Sequence, residues 1–346
     1  MSPSPRERLE AAEIAVVIVN YRTPDLTMRC LASLVGERAR LPRLKVVVVD
    51  GGSDDGSAAE LAKGVRQSEY SDWVSFLPLS INGGFGWANN QAILTLARTE
   101  KPPQFIHLLN PDAEVMEGAV FDLVTELQEH SRCGAAGSQL LASDGHTTPS
   151  AFRFPAAGRE LANAAQSEKI GNLLGVAPTV INGDGSREVD WVTGASVMLR
   201  ATALQEVGLF DDGFFLYFEE VELMHRLRSK GWTVRHVPGS KVVHLEGAAT
   251  GAGARASRLP RYWYDSRRRY FALTGGRLAV LKASLGWLAG RAVRLGKSLL
   301  GRSRADGMWI MDLLRYSGLP RRSDQNPSIA TWGETPGRLP AWMTRR

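Results

Sequence analysis

Cysteine is nearly absent from this sequence, with two residues among 346. Cys30 and Cys133 lie in apolar contexts and are too few for a disulfide framework, so we expect a reducing, cytosolic environment. Residues 1–12 are polar and charged and lack the apolar centre of a signal peptide. No stretch approaches about eighteen uncharged apolar residues, so we expect no membrane-spanning helix.

The charge of the chain is unevenly distributed. The composition is that of a globular protein, with 44% hydrophobic and 23% charged residues, enough for one large domain or two modest ones. Residues 1–254 carry 23 Lys or Arg and 31 Asp or Glu, a net charge of −8. Residues 255–346 carry 19 and 5, a net charge of +14. A basic tail of this kind predicts an anionic partner, either a membrane or a nucleic acid.

The first third of the chain alternates between apolar runs and helical segments. Each run is rich in β-branched residues, which is typical of a buried strand in a parallel sheet. Such alternation predicts βαβ units and an α/β fold. The predicted strands cover residues 14–19, 45–49, 73–77 and 105–109, and the predicted helices cover 24–34, 57–69 (with Ser57 as its cap), 87–98 and 118–130.

Polar side chains follow all four predicted strands. Because parallel strands end at the same edge of a sheet, and ligands bind at that edge in open α/β sheets, we expect these side chains to lie together near a ligand. They are Asn20, Asp50, Asn82 and Asp112.

Asn110-Pro111-Asp112 ends the fourth strand and is the most informative of these positions. A carboxylate at this edge, beside a nucleotide diphosphate, would provide the oxygen ligands that a hard divalent cation prefers. The sequence Asn-Pro-Asp is also typical of turns, so the alternative is a turn that ends the strand and binds no ligand.

Two glycine-rich loops lie at the same predicted edge. Residues 50–57 place Asp50 before a helix start that would favour a phosphate, although an ordinary Asp/Gly turn has the same pattern. Residues 82–86 also lead into a helix, where small residues let backbone approach a bulky ligand. This second loop does not follow the first strand, so a nicotinamide-binding fingerprint is not favoured.

Three acidic residues cluster where a helix is predicted to run from residue 219 to about residue 231. Acids in a first helical turn complement the helix dipole, which is the structural explanation for Glu219, Glu220 and Glu222. The residues before them are aromatic, and desolvation there would raise a carboxyl pKa toward the range of a general base. His244 ends the second of two short strands predicted at 233–237 and 241–244, and would be a metal ligand if Asp112 lay nearby.

The tail carries an amphipathic pattern beyond a Gly/Ala-rich linker at 247–253. Leucine and alanine recur at three- and four-residue steps from Leu278 to Leu299, while basic residues lie off this stripe. One interpretation is a helix packed on the domain. The other, which Trp263, Trp287 and the arginines favour, is an interfacial helix on an anionic membrane.

Taken in order, these motifs resemble the inverting glycosyltransferases of family 2 with the GT-A fold, and within them a rhamnosyltransferase-like branch. The resemblance covers about residues 13–250 and depends on the ordered set rather than on any one member. The set comprises Asn20-Tyr21, the Asp50 loop, the run from Asn82 to Asn90, Asn110-Pro111-Asp112, Gly194-Ala195, Phe210-Asp211 through Glu219-Glu220, and His244.

The resemblance implies a fold and a division of the chain. The fold would be a Rossmann-like, mostly parallel mixed sheet flanked by helices, with a basic helical extension after it. The expected parts are a polar segment at 1–12, a nucleotide-sugar-binding half at 13–116, an acceptor-binding and catalytic half at 117–250, and a membrane-associated tail at 251–346.

The resemblance also implies roles for individual residues. Asp50 matches the carboxylate that binds the nucleotide base, and Asp112 matches the metal-binding end of an Asp-x-Asp motif in which Asn110 replaces the first Asp. His244 would complete the metal site, Glu220 would be the general base, and Gly194-Ala195 lies in the acceptor-binding segment. The implied nucleotide-sugar contacts are Asn20, Tyr21, Asp50, Asp54, Asn82, Gly84, Asn110 and Asp112.

Two positions depart from the family pattern. Gly51 stands where Asn is usual after Asp50, which puts that nucleotide contact in question. Glu220 stands where Asp is usual, so Glu219 remains an alternative base.

The expected activity is inverting, metal-dependent transfer of a sugar in cell-surface polysaccharide synthesis. We expect a nucleotide-diphosphate donor, with dTDP-L-rhamnose favoured, Mg²⁺ or Mn²⁺ as cofactor, and a glycan or polyprenyl-diphosphate-linked acceptor. We expect the enzyme at the inner face of the membrane without nucleic acid; the oligomeric state is left open. The alternatives are a non-catalytic sugar-binding module and a nucleotidyltransferase, although residues 20–24 lack the glycine pattern of the latter.

Overall fold

The computed structural model describes residues 4–181, 183–245, 259–299, 308–317 and 322–344. The predicted linker at 247–253 lies outside these residues. Two helices lie before the second strand in addition to a short N-terminal helix, and a long helix lies near the C-terminus. The helices are α1 (Pro5–Glu10), α2 (Pro24–Ser33), α3 (Val35–Arg40), α4 (Ser57–Gly64), α5 (Phe85–Leu96), α6 (Ala119–Glu129), α7 (Ala157–Ala165), α8 (Glu168–Leu173), α9 (Ala201–Val207), α10 (Glu219–Ser229), α11 (Arg261–Leu299), α12 (Met308–Ser317) and α13 (Ala341–Thr344), with a 3₁₀ turn at Arg322–Gln325.

A mixed sheet of nine strands forms the centre of the molecule. Eight of its strands run in the order β3-β2-β1-β4-β10-β6-β11-β5, and β8 pairs with β11 beside them, while β7 and β9 form a separate pair. The strands are β1 (Ile14–Asn20), β2 (Leu44–Asp50), β3 (Val74–Pro78), β4 (Phe105–Leu109), β5 (Ala113–Val115), β6 (Cys133–Leu141), β7 (Ala151–Phe152), β8 (Arg187–Val189), β9 (Trp191–Val192), β10 (Ser196–Arg200) and β11 (Thr233–His244).

The first four predicted strands pair in parallel with one another, as do β6 and β11, so the predicted α/β fold with a flanked, mixed sheet is confirmed. Their register places Asn20 opposite Asp50, and Ile18 opposite Leu109. The polar residues at or just after the ends of β1, β2 and β4 therefore meet at one edge, as parallel pairing requires.

The β-branched residues alternate between two apolar layers. On β1, Val16 and Ile18 pack with α2 and α6 on one face, while Ala15 and Val17 pack with α5 on the other. Both layers contain strand side chains that are fully buried, as expected for a sheet covered by helices on both faces. The edge that carries the polar residues is thus held by packing on both sides.

Strand β10 runs antiparallel between β4 and β6, so the chain segment before β10 lies next to the end of β4. In this segment the carbonyl of Ala195 accepts a 2.9 Å hydrogen bond from the N–H of Asn110. Strand β11 pairs with β5 and places His244 opposite Ala113, next to Asp112. The prediction of two short strands at 233–237 and 241–244 was wrong. The structure has one strand over this range, with an irregularity in its pairing to β6 between Val237 and Lys241.

Several predicted helix limits also differ. The cap of α4 is Gly56, at φ 94°, and not Ser57, whose hydroxyl donates to Asp55 Oδ1 at 2.6 Å. The same helix ends at Gly64 and not near residue 69, since a series of turns then leads to the buried Tyr70 and Trp73. Helix α5 begins two residues earlier than predicted, because Gly84 at φ 92° turns the chain directly into Phe85.

The C-terminal third contains two parts of different character. Helix α11 packs along α7 and has a kink at Gly275 and Gly276. Residues 322–344, which we call the C-terminal strap, return across the sheet domain instead of extending the basic helix. The strap bonds to residues 209–212 through the pairs Leu209 N–Ala330 O, Asp212 N–Ser328 O and Trp342 N–Asp212 O. Among the described residues, no helix has both the length and the apolar character needed to cross a membrane.

Candidate active site

A cavity of about 560 Å³ opens at the carboxyl edge of the parallel strands. It lies between the loop after β1, the glycine-rich loop before α5 and the turn after β4. Four of the predicted nucleotide-sugar residues line it: Tyr21, Asn82, Gly84 and Asn110. Phe215, Leu216 and Tyr262 close the other side.

Asn20 and Asp50 form the buried base of this site. The amide of Asn20 donates to Asp50 Oδ1 at 2.8 Å, and its oxygen accepts from the Thr27 hydroxyl at 3.0 Å and from Thr23 N–H at 3.1 Å. Asp50 Oδ2 accepts from Ser53 N–H at 2.9 Å. Both side chains are essentially inaccessible. These two side chains hold the loops that line the cavity, and they are not part of its wall.

Gly84 is the tightest point of the glycine-rich loop. Its φ of 92° is left-handed, and a Cβ at this position would collide with the carbonyl oxygen of Phe215. That same carbonyl accepts from Phe85 N–H at 3.1 Å, and the Asn82 side chain accepts from Gly84 N–H, also at 3.1 Å. The loop is therefore fastened to the segment at 214–218, and only glycine fits at the junction.

Asp112 and His244 meet beside the part of the cavity wall formed by Asn110 and Pro111, and are not themselves part of that wall. His244 Nε2 lies 3.2 Å from Asp112 Oδ1 and 3.3 Å from the Asn110 amide nitrogen. Asp112 is buried, and the other ring nitrogen of His244 is buried without a hydrogen bond among the described residues. Across the described parts of the chain no group of three or more His, Cys, Asp or Glu could hold a metal. This pair would supply two ligands, and a bound diphosphate or water would have to supply the others.

The two candidate bases point in different directions, because neighbouring positions on a helix lie about 100° apart. Glu219 turns inward, where a Cβ on Gly86 would lie 3.4 Å from its Cγ. Glu220 faces the segment before β10, with its Cβ 3.8 Å from where a Cβ on Gly194 would lie. Phe85, whose backbone lines the cavity, is the other neighbour of Gly194. Only Glu220 therefore points toward the space between the cavity and the predicted acceptor segment.

Burial controls the ionisation of both carboxyl groups. It raises the pKa of Glu220 to about 7. It raises the pKa of Glu219 well above its usual range, and the neighbouring Glu220 carboxylate raises it further. Each has one carboxyl oxygen that is buried without a hydrogen bond, which explains why the charged forms are disfavoured. Glu220 thus has the pKa of a base that works near neutral pH, while burial and the Glu220 carboxylate favour the protonated form of Glu219.

Strained backbone sets the position of Glu220. Tyr217 and Phe218, directly before α10, both have left-handed φ values, 69° and 68°. Residues other than glycine adopt this conformation only when their surroundings hold them there. Tyr217 stacks on Tyr262 with 6.0 Å between ring centroids, and Phe218 meets Trp263 edge-on at 5.7 Å. The start of α11 therefore holds the turn that aims Glu220.

The family model for glycosyltransferase-like family 2 matches residues 11–266, which is most of the chain and includes every residue of the candidate active site given so far. The chain belongs to this family. It is a glycosyltransferase, and its relatives include rhamnosyltransferases.

One such relative is the N-acetylglucosaminyl-diphospho-decaprenol L-rhamnosyltransferase of Mycobacterium tuberculosis H37Rv. It is 28% identical over 302 residues, covering 84% of this chain and 93% of the relative. The rhamnosyltransferase WbbL of Escherichia coli K12 is 26% identical over 170 residues, covering 46% of this chain and 60% of WbbL.

Solved glycosyltransferases share the fold at low sequence identity. The mannosyltransferase PcManGT from Pyrobaculum calidifontis, in complex with GDP-Man and Mn²⁺, has a TM-score of 0.54 and 14% identity, covering 86% of this chain and 77% of that one. GalNAc-T7 with UDP, GalNAc and Mn²⁺ has a TM-score of 0.51 and 15% identity, covering 88% and 58%. At such identities the likeness shows the GT-A fold alone.

Some predicted site residues of this glycosyltransferase lie away from the cavity wall. Asp54 is largely exposed and forms an ion pair with Arg22, whose guanidinium also lies over the Tyr21 ring. Ala195 is buried, and its carbonyl holds Asn110 N–H. Gly194 does lie beside Glu220. The predicted list therefore combines residues that line the site with residues that support it.

The sequence did not reveal how the C-terminal strap supports the glycosyltransferase site. The indole N–H of Trp342 donates to the Gly83 carbonyl at 2.9 Å, and the indole N–H of Trp87 donates to the Arg338 carbonyl at 2.8 Å. Arg338 also pairs with Asp212 at 2.7 Å. The aromatic residues of the strap were a signal that some of it is buried, but nothing local indicated its partner.

Proposed function

We propose that this glycosyltransferase moves L-rhamnose from dTDP-L-rhamnose to a polyprenyl-diphosphate-linked saccharide, with inversion, in cell-surface polysaccharide synthesis. The observation that carries the proposal is the placement of Glu220. The pKa of its carboxyl group is about 7, because of its burial, and its Cβ lies 3.8 Å from where a Cβ on Gly194 would lie, beside Phe85 of the cavity wall.

The donor fits the cavity between Tyr21 and Tyr262. A volume of about 560 Å³ suits a nucleotide-sized ligand, and small-molecule sites usually fall within roughly 300–1,000 Å³. Both walls carry tyrosine rings that offer flat apolar surface to a base or sugar. The backbone at Gly51 and Gly84 carries no side chain that would keep a ligand at a distance.

The residues next to Asn110 and Pro111 of the cavity wall fit a divalent cation. Asp112, with an oxygen ligand, and His244, through Nε2, would hold it, and Asn110 lies within reach of the same imidazole. Mg²⁺ or Mn²⁺ bound there would act as a Lewis acid on the departing nucleotide diphosphate. The two solved neighbours that contain Mn²⁺ and a nucleotide or nucleotide sugar support this assignment.

Glu220 removes the proton from an acceptor hydroxyl as that oxygen attacks the anomeric carbon of the sugar. The C–O bond to the diphosphate breaks in the same displacement, and the proton stays on the Glu220 carboxyl. Because one displacement occurs and no enzyme nucleophile intervenes, the configuration inverts. Glu219 points away from Gly194 and its burial favours the protonated form, so we assign it no part in the proton transfer.

The acceptor is inferred from a relative. The mycobacterial rhamnosyltransferase is named for N-acetylglucosaminyl-diphospho-decaprenol, and the chain matches 93% of its length. A polyprenyl-linked acceptor would lie at the inner face of the cell membrane, which is where we propose that the enzyme works.

The test is nucleotide-diphosphate release from dTDP-, UDP- and GDP-sugars with Mn²⁺ or Mg²⁺ and a synthetic polyprenyl-diphosphate-linked N-acetylglucosamine. We expect acceptor-dependent release from dTDP-L-rhamnose, and a product of inverted anomeric configuration by NMR. The activity should be lost in Asp112→Ala and in Glu220→Gln. Exclusive use of a UDP-hexose would refute the donor. Release of pyrophosphate would indicate a nucleotidyltransferase, and binding of donor without turnover would indicate a sugar-binding module.

A further inference from the structure

The leucine stripe of α11 faces away from the protein. Helix α11 approaches α7 through glycines, since a Cβ on Gly286 would collide with the Ala157 carbonyl and one on Gly290 would lie 2.8 Å from the Ala164 Cβ. Val280, Ala283 and Trp287 complete this inner face and are buried. Small residues thus determine the close packing of the two helices, and most of the leucines of α11 lie on the opposite, exposed face.

Five exposed leucines lie along the helix, with the half-buried Leu288 and the exposed Ala292 between Leu285 and Leu295. Their exposed fractions are 59% for Leu278, 44% for Leu281, 56% for Leu285, 43% for Leu295 and 82% for Leu299. From the first to the last, this stripe is about 32 Å long at 1.5 Å per residue. Scattered single leucines on a surface need no explanation, but a contiguous apolar stripe marks an interaction site.

The charge beside the stripe indicates the partner. Between Arg277 and Leu299 the chain has five basic residues and no acidic one. Arg277 and Lys282 are exposed at its two sides, whereas Lys297 is used to hold the end of α7 through the Ala165 carbonyl at 3.1 Å. A second copy of the same stripe would bring like charges together. An anionic lipid surface offers both the apolar layer and the opposite charge.

We propose that the face of α11 formed by Leu278, Leu281, Leu285, Leu295 and Leu299 is a docking surface for an anionic membrane. The apolar side chains enter the boundary between headgroups and acyl chains, and Arg277 and Lys282 lie at the level of the lipid phosphates. The proposal goes beyond the transfer reaction, because it concerns binding to lipid with no donor or acceptor present.

The test is co-sedimentation of the full-length protein with sucrose-loaded vesicles of phosphatidylcholine, with and without phosphatidylglycerol. We expect binding to the anionic vesicles that weakens as salt is added. Leu281→Ser/Leu285→Ser should lower the partition coefficient roughly tenfold or more, because two apolar side chains no longer enter the lipid. Met116→Ser, an exposed apolar residue at the far edge of the sheet, is the control and should bind like the wild type.

A charge variant distinguishes binding to anionic lipid from non-specific adsorption. Arg277→Gln/Lys282→Gln should weaken binding to anionic vesicles roughly tenfold or more, whereas Lys63→Gln/Lys101→Gln should have a much smaller effect. Because all four positions are exposed, the variants should keep the circular dichroism spectrum and melting temperature of the wild type.

Three results would overturn the proposal. The first is wild-type protein that fails to sediment with anionic vesicles, and the second is a leucine variant that binds as tightly as the wild type. The third is a wild-type dimer in light scattering, without lipid, that the leucine variant converts to a monomer, since the stripe would then be a contact between copies. None of these measurements depends on glycosyl transfer, so failure here is distinguishable from failure of the proposed activity.

Discussion

The indole N–H of Trp342 donates a 2.9 Å hydrogen bond to the carbonyl of Gly83, 259 positions earlier in the chain. The ring of Trp342 also meets Phe215 edge-on, with 5.0 Å between centroids, and Phe215 lines the donor cavity. The C-terminal strap is therefore part of the support of the glycine-rich loop. Truncating the protein after its long helix would remove that support.

Replacing Trp342 with phenylalanine should raise the KM for the donor about 2- to 10-fold with little change in kcat. The ring would still pack on Phe215, but the loss of one hydrogen bond, about 0.5–1.5 kcal/mol, would loosen the Gly83 carbonyl. Steady-state kinetics with varied donor concentration measures this. Trp332→Phe, also in the strap and packed on the main core, is the matched control and should leave KM unchanged. An equal rise of KM in both variants would count against a specific role for Trp342.

The geometry separates the two adjacent glutamates. Glu220→Gln should lower kcat by about 10²–10⁴, because the acceptor hydroxyl loses its base. Glu219→Gln should stay close to wild-type kcat, since burial favours the protonated form of Glu219, which glutamine resembles. Single-turnover measurements at saturating donor would compare the rate of the chemical step in the two variants directly. A large loss in Glu219→Gln, with Glu220→Gln active, would reverse the assignment.

The raised pKa of Glu220 determines how activity depends on pH. The base must be ionised, so kcat/KM should rise with pH through a midpoint near 7 and fall off below it. A carboxylate with an ordinary pKa would give a midpoint near 4.5 and nearly flat activity across the neutral range. A pH–rate profile measures the midpoint, and Glu219→Gln should keep the neutral value.

Stability should show the opposite trend with pH. The folded protein favours the protonated form of Glu220, so this group disfavours folding progressively as pH rises from about 4.5 toward 7. The loss is at most about 3 kcal/mol, from roughly 1.4 kcal/mol per pKa unit. Glu220→Gln should therefore melt at a higher temperature than the wild type near pH 8, and the difference should shrink near pH 5. Calorimetric scans at the two pH values would show whether it does.

The parallel part of the fold followed from local pattern because each strand is buried on both faces. The predicted strand at 105–109 matches β4 residue for residue, and Asn20 and Asp50 lie side by side as parallel pairing demands. Parallel strands of this kind are nearly continuous apolar runs, and their ends are marked by the first polar residue. The edge of the site was therefore predictable.

Features that depend on distant contacts were not predictable. The leucine pattern of α11 suits a packed helix or an exposed one equally well, and only the fit of Gly286 and Gly290 against α7 decides which face is inside. Likewise, the sequence left Glu219 and Glu220 as alternative bases, because their difference comes from Gly86 on one side and Gly194 on the other. The strap has no local signal for its partner, since its hydrogen bonds reach residues far earlier in the chain.

Metal dependence can be tested by substituting Asp112 and His244, with a second Asp–His pair of the chain as the control. The contact between Asp112 and His244 is buried at the cavity, while Asp144 and His146 form a similar contact in an exposed turn. If the buried pair holds the cation, Asp112→Asn and His244→Gln should each raise the Mn²⁺ concentration for half-maximal activity by about tenfold or more, because one of two protein ligands is weakened. Asp144→Asn/His146→Gln should leave it unchanged.

Mn²⁺ binding should also be measured directly, through the paramagnetic effect of Mn²⁺ on water relaxation in the presence of the nucleotide diphosphate. In both buried-pair variants we expect weaker Mn²⁺ binding that parallels the kinetic shift. Chelation by EDTA should abolish wild-type turnover, and added Mn²⁺ or Mg²⁺ should restore it. Full wild-type turnover in excess EDTA would contradict the assignment of a cation to Asp112 and His244, whose atoms lie 3.2 Å apart.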